Sequence, residues 1–189
     1  QTLTGSTWAK NTNYPATYCN VIFADRRNRL FASTDNRLYK SLNLGTSFTL
    51  DTAGIGTKRV LFIGDDSLGN IYVVVNSTNG FQRKGDRLYR SDGGTAPFVR
   101  IDLPISSLNA DPLNPYIFNQ VSGDSALFAS TQYGLFRSIN YGTTWTPNNQ
   151  GISAEQYSGL VKANNNRLLA ANNLGCFALI DGDSVWNNL

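Results

Sequence analysis

The sequence predicts an all-β protein, and three observations support this prediction. The chain of 189 residues repeats a unit of roughly 45 residues four times. Each unit contains short apolar segments bounded by Gly, Asn, Asp and Pro, as expected for a meander of antiparallel hairpins. Charged residues make up only 15% of the chain, and its 17 glycines suit tight turns. Together these features favour a turn-rich β fold without substantial helix.

The repeat is clearest in two hairpins. Arg29–Thr34 is followed by two turn residues and Arg37–Ser41, and Ala126–Thr131 is followed by two turn residues and Gly134–Ser138. The other copies are Ile71–Val75 with Arg87–Ser91, and the more divergent Arg167–Ala171 with Gly175–Leu179. We predict one repeat domain, 1–189, with units at approximately 9–50, 51–103, 104–147 and 148–189; residues 1–8 form the stub of a further strand.

Each unit supplies four strand candidates, here called A to D. Strand A is predicted at Val21–Ala24, Val60–Ile63, Tyr116–Phe118 and Leu160–Ala163, and strand D opens on Phe48, Phe98, Trp145 or Trp186. One such sheet cannot bury both of its faces, so it has to stack on its neighbours. Four-stranded sheets repeated about an axis form a β-propeller, or a large arc of one.

The turn between strands C and D carries the most specific motif. It reads Ser-Leu-Asn-Leu-Gly-Thr-Ser-Phe at 41–48 and Ser-Ile-Asn-Tyr-Gly-Thr-Thr-Trp at 138–145. Both resemble the Asp-box (BNR repeat) of the sialidase/sortilin-like propellers, with Asn in place of Asp. The turns at 91–98 and 181–186 are degenerate copies, and Gly5–Trp8 resembles the end of another.

The motif indicates a structural role for its residues. Asx and hydroxyl side chains satisfy backbone groups inside a turn, glycine adopts angles that other residues resist, and the aromatic fills the gap between sheets. The residues to which we assign this role are Ser41, Asn43, Gly45, Phe48, Ser138, Asn140, Gly142 and Trp145.

The sequence offers little catalytic equipment. It contains no His and only two Cys, so we predict no catalytic residue, no metal and no cofactor. The resemblance to sialidases keeps a glycoside hydrolase open as the alternative function, because such enzymes use an arginine clamp and carboxylates. We interpret Arg100 instead as part of strand D, and Asp65 and Asp66 as solvated turn residues.

In propellers of the family that the chain resembles, the B–C and D–A loops share the face that normally binds. Asn76–Asp86 is the largest departure from the repeat, either a binding loop or a tolerated excursion, and 148–150 joins the face. The candidate ligand-binding residues are Asn36, Phe81, Arg83, Lys84, Tyr133 and Asn173.

These observations predict a non-catalytic binding module for a glycan or a protein. It would be extracellular, cell-surface or virion-surface, for example an adhesion module of a phage or bacterial surface protein. A structural or assembly-factor propeller is a second alternative. The net charge of +3 does not favour nucleic acid, and no apolar run of 18 residues predicts a membrane span.

Two repeat positions have alternative interpretations. Lys40, Arg90 and Arg137 share one repeat position. They form either a cationic stripe, or their aliphatic stems cover the sheet while the charge reaches water.

Cys176 aligns with Leu38, Leu88 and Leu135, which predicts a buried thiol; a long-range disulfide with Cys19 is the alternative.

The strand count bears on ring closure. Five strand-D signals accompany four A–B–C sets, with the extra signal at Trp8. We therefore favour an open arc, either part of a larger propeller or completed by another chain such as a second copy, over a closed four-bladed ring.

Overall fold

The computed structural model describes residues 10–76, 87–104, 126–131, 133–153, 157, 159–163, 167–180 and 184–189. These residues form four sheets and one short 3-10 turn, Asp92–Gly94.

Sheet 1 comprises β1 (Val21–Ala24), β2 (Leu30–Ser33), β3 (Leu38–Ser41) and β4 (Thr49–Leu50). Sheet 2 comprises β5 (Arg59–Asp65), β6 (Ile71–Asn76), β7 (Arg87–Ser91) and β8 (Val99–Ile101). Sheet 3 comprises β9 (Leu127–Thr131), β10 (Gly134–Ser138) and β11 (Thr146–Pro147), and sheet 4 comprises β12 (Gly159–Lys162), β13 (Arg167–Asn172), β14 (Gly175–Ile180) and β15 (Asn187–Asn188).

Each sheet is an antiparallel meander in which every strand pairs with the next along the chain. The predicted all-β propeller-type fold is thereby confirmed. The strand predicted at Tyr116–Phe118 lies outside the described residues. β5 is longer than predicted: it begins at Arg59 and continues to Asp65, with a bulge between Val60 and Phe62. The aromatic predicted to open strand D instead ends the preceding turn, as Phe48 does before β4.

The sheets stack in chain order, and three apolar clusters lie between them. Sheets 1 and 2 bury Phe31 and Leu38 with Val73 and Phe98; sheets 2 and 3 bury Tyr72 and Val74 with Phe136 and Trp145; sheets 3 and 4 bury Phe128 and Leu135 with Phe177 and Trp186. Burying each such side chain contributes about 1.5–3 kcal/mol. In the part of the chain that the structure describes, no apolar cluster joins sheet 4 to sheet 1, which is consistent with an arc of a propeller.

Cys176 corrects one prediction. Leu38, Leu88 and Leu135 are buried against the following sheet, but Cys176 at the same repeat position is exposed. The reason is its place in the arc, since no described sheet follows sheet 4. Cys19 is exposed as well, and both thiols are free, so the long-range disulfide is not formed.

Candidate ligand-binding face

Alternating strand directions give the arc two ends with different connections. The A–B turns (25–29 and 66–70) and the C–D turns (42–48, 92–98 and 139–145) lie at one end, here called the turn face. The B–C turns (34–37, 133 and 173–174) lie at the other end together with the starts of the A strands, here called the loop face.

The two Asp-box-like turns on the turn face have the same hydrogen bonds. In the first, Gly45 N donates to Ser41 Oγ at 2.8 Å, and Ser47 N donates to Asn43 Oδ1 at 2.9 Å. Asn43 Nδ2 also donates to Ser47 Oγ at 2.9 Å. The turn at 138–145 repeats these bonds with Ser138, Asn140, Gly142 and Thr144, each within 0.1 Å of its counterpart. In both turns the Asn side chain therefore uses both of its polar atoms: Oδ1 accepts a main-chain N–H, and Nδ2 donates to a side-chain hydroxyl.

Each of these turns also contains a residue with a positive φ that the sequence did not indicate. Leu44 has φ 54° and Tyr141 has φ 55°, immediately before Gly45 (φ 86°) and Gly142 (φ 75°). A non-glycine residue in this region is disfavoured and needs the rest of the turn to hold it. The hydrogen bonds of the Asn and Ser side chains supply that constraint.

The A–B turns contain a second capping device. Asp25 Oδ1 accepts the N–H groups of Arg27 and Arg29, and Asp66 Oδ1 accepts those of Leu68 and Asn70. The prediction that Asp65 and Asp66 are solvated is wrong. Asp65 is buried with its carboxylate accepting Arg26 N at 3.0 Å, and Asp66 is buried inside its own turn.

Basic side chains connect consecutive sheets on the turn face. Lys40 Nζ donates to Gly94 O at 3.2 Å, and Arg90 Nη1 donates to Tyr141 O at 2.8 Å. Gly94 and Tyr141 are three residues after the first serine of their turns, Ser91 and Ser138. The prediction that the charge reaches water is wrong for Lys40, whose side chain is only 12% exposed, whereas the Arg90 side chain is 26% exposed and also pairs with Asp92. Each binds the main chain of the next sheet, while the Arg137 guanidinium lies over the Phe128 ring at 5.7 Å.

Arg29 makes the most buried of these connections. Its Nε lies 2.6 Å from Asp25 Oδ2, its Nη2 donates to Gly69 O at 2.9 Å, and its Nη1 donates to Gly93 O. Because the side chain is only 9% exposed, the ion pair is largely removed from water. Arg29 consequently joins an A–B turn of sheet 1 to both turns of sheet 2.

On the loop face, polar side chains from separate segments meet at Asp35. Asn20 Nδ2 donates to Asp35 Oδ1 at 2.7 Å, and the Tyr18 hydroxyl donates to Asp35 Oδ2 at 3.1 Å. Arg59 of sheet 2 lies 3.7 Å from the same carboxylate. Asp35 is 60% exposed and Arg59 44% exposed, so the whole group is accessible from solvent. We call Tyr18, Asn20, Asp35 and Arg59 the Asp35 cluster.

The predicted ligand-binding residues are distributed over the loop face. Asn36 is exposed beside the Asp35 cluster, Tyr133 is half-buried in the turn of sheet 3, and Asn173 is exposed in the turn of sheet 4. Phe81, Arg83 and Lys84 lie outside the described residues. The sequence did not single out the Asp35 cluster as a site, although Asp35 itself stood in a predicted B–C turn. Tyr18, Asn20 and Arg59 come from other segments and carry no motif.

The segment 148–150 makes hydrogen bonds within sheet 3 and to sheet 4. Asn148 is buried, its carbonyl and side-chain oxygens both accept Trp186 Nε1, and Gln150 O accepts Trp186 N at 2.9 Å. Asn149 Oδ1 accepts Leu135 N at 2.8 Å. The Asn148 oxygens and the Gln150 carbonyl hold sheet 4 against sheet 3, whereas Asn149 holds β10 of its own sheet. Gln150 is exposed, and the contribution of this segment to a binding face stays a prediction.

The charges of the described carboxylates are all engaged. Asp25, Asp35, Asp51, Asp65, Asp92 and Asp102 each form an ion pair. Asp66 instead accepts a hydrogen bond from the Tyr72 hydroxyl at 2.7 Å, and burial together with this hydrogen bond raises the pKa of Tyr72 well above its usual range.

Over the described ranges, no group of three potential metal ligands occurs. The same described ranges contain no helix that is long and apolar enough to cross a membrane.

No protein-family model matches the chain. Sortilin from Rattus norvegicus and from Mus musculus are each 28% identical to it over 115 residues. The aligned part is 58% of this chain and 13% of sortilin, so the chain corresponds to a small part of those proteins.

Three solved structures show the same fold. The extracellular domain of a one-component system from B. thetaiotaomicron matches 90% of this chain and 22% of its own, with a TM-score of 0.67 and 17% identity. The GH74 xyloglucanase from Xanthomonas campestris matches 79% and 25%, with a TM-score of 0.59 and 18% identity. A YCF48 structure with bound D1 peptide matches 87% and 52%, with a TM-score of 0.54 and 16% identity.

These matches agree with the stacked four-stranded sheets and with the motif in the C–D turns. The structures establish the propeller-type fold, and sortilin provides the similarity in sequence. The chain therefore has a β-propeller-type fold, and in sequence it is similar to a part of sortilin.

Proposed function

We propose that the chain is a non-catalytic binding module that holds a glycan or a protein ligand on its loop face, outside the cell or on the surface of a cell or particle. The observation that carries this proposal is the Asp35 cluster. It combines an exposed carboxylate, an exposed guanidinium, an amide and a phenol ring on one accessible surface.

The chemistry of the cluster suits recognition of polar ligands. Tyr18 is 49% exposed and offers an aromatic ring for stacking on a sugar or an apolar side chain. Asp35 offers acceptor oxygens that Asn20 and Tyr18 hold in position, and Arg59 offers donors beside the same carboxylate. Asn36 extends the surface with a further amide. Loops on a rigid scaffold are a common location for binding sites.

The described carboxylates support a binding role over hydrolysis. A glycoside hydrolase needs two carboxylates that face one substrate. Asp25, Asp65 and Asp66 are buried at the turn face, and their oxygens hold backbone groups and ion pairs. Asp35 is the carboxylate of the loop-face cluster, and Arg59 is its ion-pair partner.

The solved structures support the proposed ligand classes and location. The B. thetaiotaomicron protein is an extracellular domain, and the YCF48 structure contains a peptide. The xyloglucanase is an enzyme of the same fold, so glycoside hydrolysis is the second candidate function. The fold alone does not distinguish these activities.

A glycan array and a peptide array, run in parallel with a panel of glycosidase substrates, test the proposal. We expect binding without turnover, and we expect the double variant Tyr18→Ala, Asp35→Asn to reduce it at least about tenfold, a loss of about 1.4 kcal/mol. Ile139→Ser changes an exposed apolar residue of the turn face and serves as the matched control, with unchanged binding. Turnover that one Asp or Glu substitution abolishes would instead establish the hydrolase.

The loop insertion gives an independent test. Replacing Phe81, Arg83 and Lys84 together should weaken binding of the same ligand. The sequence predicts that these residues lie in an exposed loop, where substitutions usually change stability by less than about 0.5 kcal/mol, so the melting temperature should stay nearly constant. Unchanged binding would limit the site to the Asp35 cluster and its neighbours.

A further inference from the structure

Apolar side chains stand in the turns of the turn face. Leu42 and Leu44 of the C–D turn of sheet 1 are 66% and 67% exposed, and Ile139 of the C–D turn of sheet 3 is 67% exposed. Leu68 in the A–B turn of sheet 2 is 50% exposed. We call these four residues the apolar tips. Single exposed apolar residues are common on protein surfaces, but a set that shares one end of the molecule indicates a contact surface.

The backbone at Leu44 supports this interpretation independently. Leu44 has φ 54°, a left-handed conformation that glycine and asparagine adopt more readily than leucine. Because Leu44 is largely exposed, its side chain gains little from packing within the described chain. The stability of the fold therefore does not explain an apolar residue at this position. The turn holds Leu44 in place, since Ser41, Asn43 and Ser47 are hydrogen-bonded across it.

Basic side chains lie beside the apolar tips. Arg27 is exposed, and its guanidinium donates to Leu68 O. Lys10 is also exposed and precedes Asn11, whose side-chain amide donates to Gly45 O in the C–D turn of sheet 1. Positive charge therefore lies close to the apolar tips of both sheet 1 and sheet 2.

The carboxylates of the turn face are mostly withdrawn from water. Asp25, Asp65 and Asp66 are buried, whereas Arg26, which pairs with Asp65, has a side chain that is 43% exposed. The Asp92 side chain is 66% exposed and forms an ion pair. Among the described residues, the turn face consequently presents more exposed cations than exposed carboxylates. This balance favours a negatively charged partner.

We propose that the turn face binds the surface of an anionic lipid bilayer, with the apolar tips below the headgroups and the basic side chains at the lipid phosphates. Apolar insertion combined with attraction to anionic lipids is a general mode of binding to a membrane surface. All the tips lie at one end of the stacked sheets, so a flat surface can contact them together. The Asp35 cluster lies at the opposite end and stays accessible to its own ligand.

The spacing of the apolar tips favours a bilayer over a protein partner. Stacked sheets lie about 10 Å apart, so Leu44 and Ile139, which are two sheets apart, are separated by roughly 20 Å. The C–D turn of sheet 2 lies between them and begins Ser-Asp-Gly-Gly. The tips therefore form no continuous apolar pocket that one protein side chain could fill, whereas a fluid surface accepts separate insertions.

Cosedimentation with lipid vesicles tests this binding on the 189-residue chain. We expect strong binding to vesicles of equal parts phosphatidylcholine and phosphatidylserine, release from them by salt, and weak binding to pure phosphatidylcholine. The double variant Leu44→Asn, Leu68→Ser should lower the partition coefficient at least about tenfold, because it removes apolar area from the bilayer. Asparagine suits the positive φ at position 44, and circular dichroism checks that the variant is folded. Leu174→Ser changes a residue that is 62% exposed on the loop face and is the matched control, with unchanged binding.

Fluorescence distinguishes insertion from adsorption by charge alone. Brominated lipid in the mixed vesicles should quench the tryptophan introduced by Leu42→Trp but not the one introduced by Leu174→Trp, each compared with the wild type. No binding to either kind of vesicle would overturn the proposal and leave the apolar tips as contacts for a protein. Equal binding by the wild type and the double variant, an equal loss in Leu174→Ser, or unquenched fluorescence from Leu42→Trp would also overturn it.

Discussion

The turn face and the loop face end the same strands, yet they use polar residues in opposite ways. On the turn face, Asp25, Asp66 and Arg29 are buried and their hydrogen bonds hold backbone groups. On the loop face, Asp35 and Arg59 are paired but remain about half exposed. The turn face is therefore built for stability, and the loop face has polar groups that a ligand can reach without unfolding anything.

Substitution of Arg29 is expected to cause the largest loss in the free energy of unfolding. Arg29→Ala leaves Asp25 buried without its partner and removes the connection to Gly69 and Gly93, so we expect a loss of about 3–5 kcal/mol in the free energy of unfolding. Arg59→Ala removes the exposed ion pair of the loop face and should cost less than about 1 kcal/mol. Urea denaturation of both variants measures the difference. Equal losses would contradict the comparison between the two faces.

Substitution of Tyr72 is expected to cause an intermediate loss in the free energy of unfolding. Tyr72→Phe removes a buried donor from Asp66, which should lower the free energy of unfolding by about 1–3 kcal/mol at neutral pH. Tyr18→Phe on the loop face is the control and should change stability by less than about 0.5 kcal/mol. Thermal melts of the two variants make the comparison.

The same hydroxyl predicts a dependence on pH. Burial and Asp66 raise the pKa of Tyr72 in the folded state, so the folded protein keeps this proton after the unfolded chain has lost it. The stability that the hydroxyl contributes is fully present below pH about 10, the pKa of an unfolded tyrosine, and declines above it. Between pH about 9 and about 11, one unit either side of the pKa of an unfolded tyrosine, the melting temperature of Tyr72→Phe should fall less than that of the wild type. An identical decline in both proteins would show that Tyr72 does not titrate differently in the two states.

The smallest effect is expected in the C–D turn. Asn140→Ala removes the acceptor of Thr144 N and the donor to Thr144 Oγ1, which should lower stability by about 1 kcal/mol. Asn36→Ala changes an amide on the loop face and should leave stability within about 0.5 kcal/mol. Chemical denaturation resolves this difference if both variants are measured together. A loss at Asn36 that matches the loss at Asn140 would mean that the B–C turn is also structural.

The fold was predictable because its information is local and repeated. Hairpins such as Leu30–Ser41 recur along the chain, which a single sequence reveals, and the motif at 138–145 marks the C–D turn. The connections between sheets were not predictable by the same means. Lys40 and Gly94 are 54 residues apart, and the acceptor is a main-chain carbonyl that has no signature in sequence.

The candidate site was predicted in part for the same physical reason. The B–C turns identified Asn36 and Asp35, since turn residues follow directly from the repeat. Tyr18 and Arg59 reach Asp35 from segments that the repeat does not align. Cys176 was assigned to the interior because its aligned residues are buried, but burial depends on a neighbouring sheet and not on the residue itself.

The bonds from Lys40 to Gly94 and from Arg90 to Tyr141 have a consequence for how such a chain evolves. The cation recognises a carbonyl, which every amino acid possesses, so Gly at one turn and Tyr at the next serve equally well. Units can therefore diverge in sequence, be duplicated or be exchanged in order while the coupling between neighbours survives.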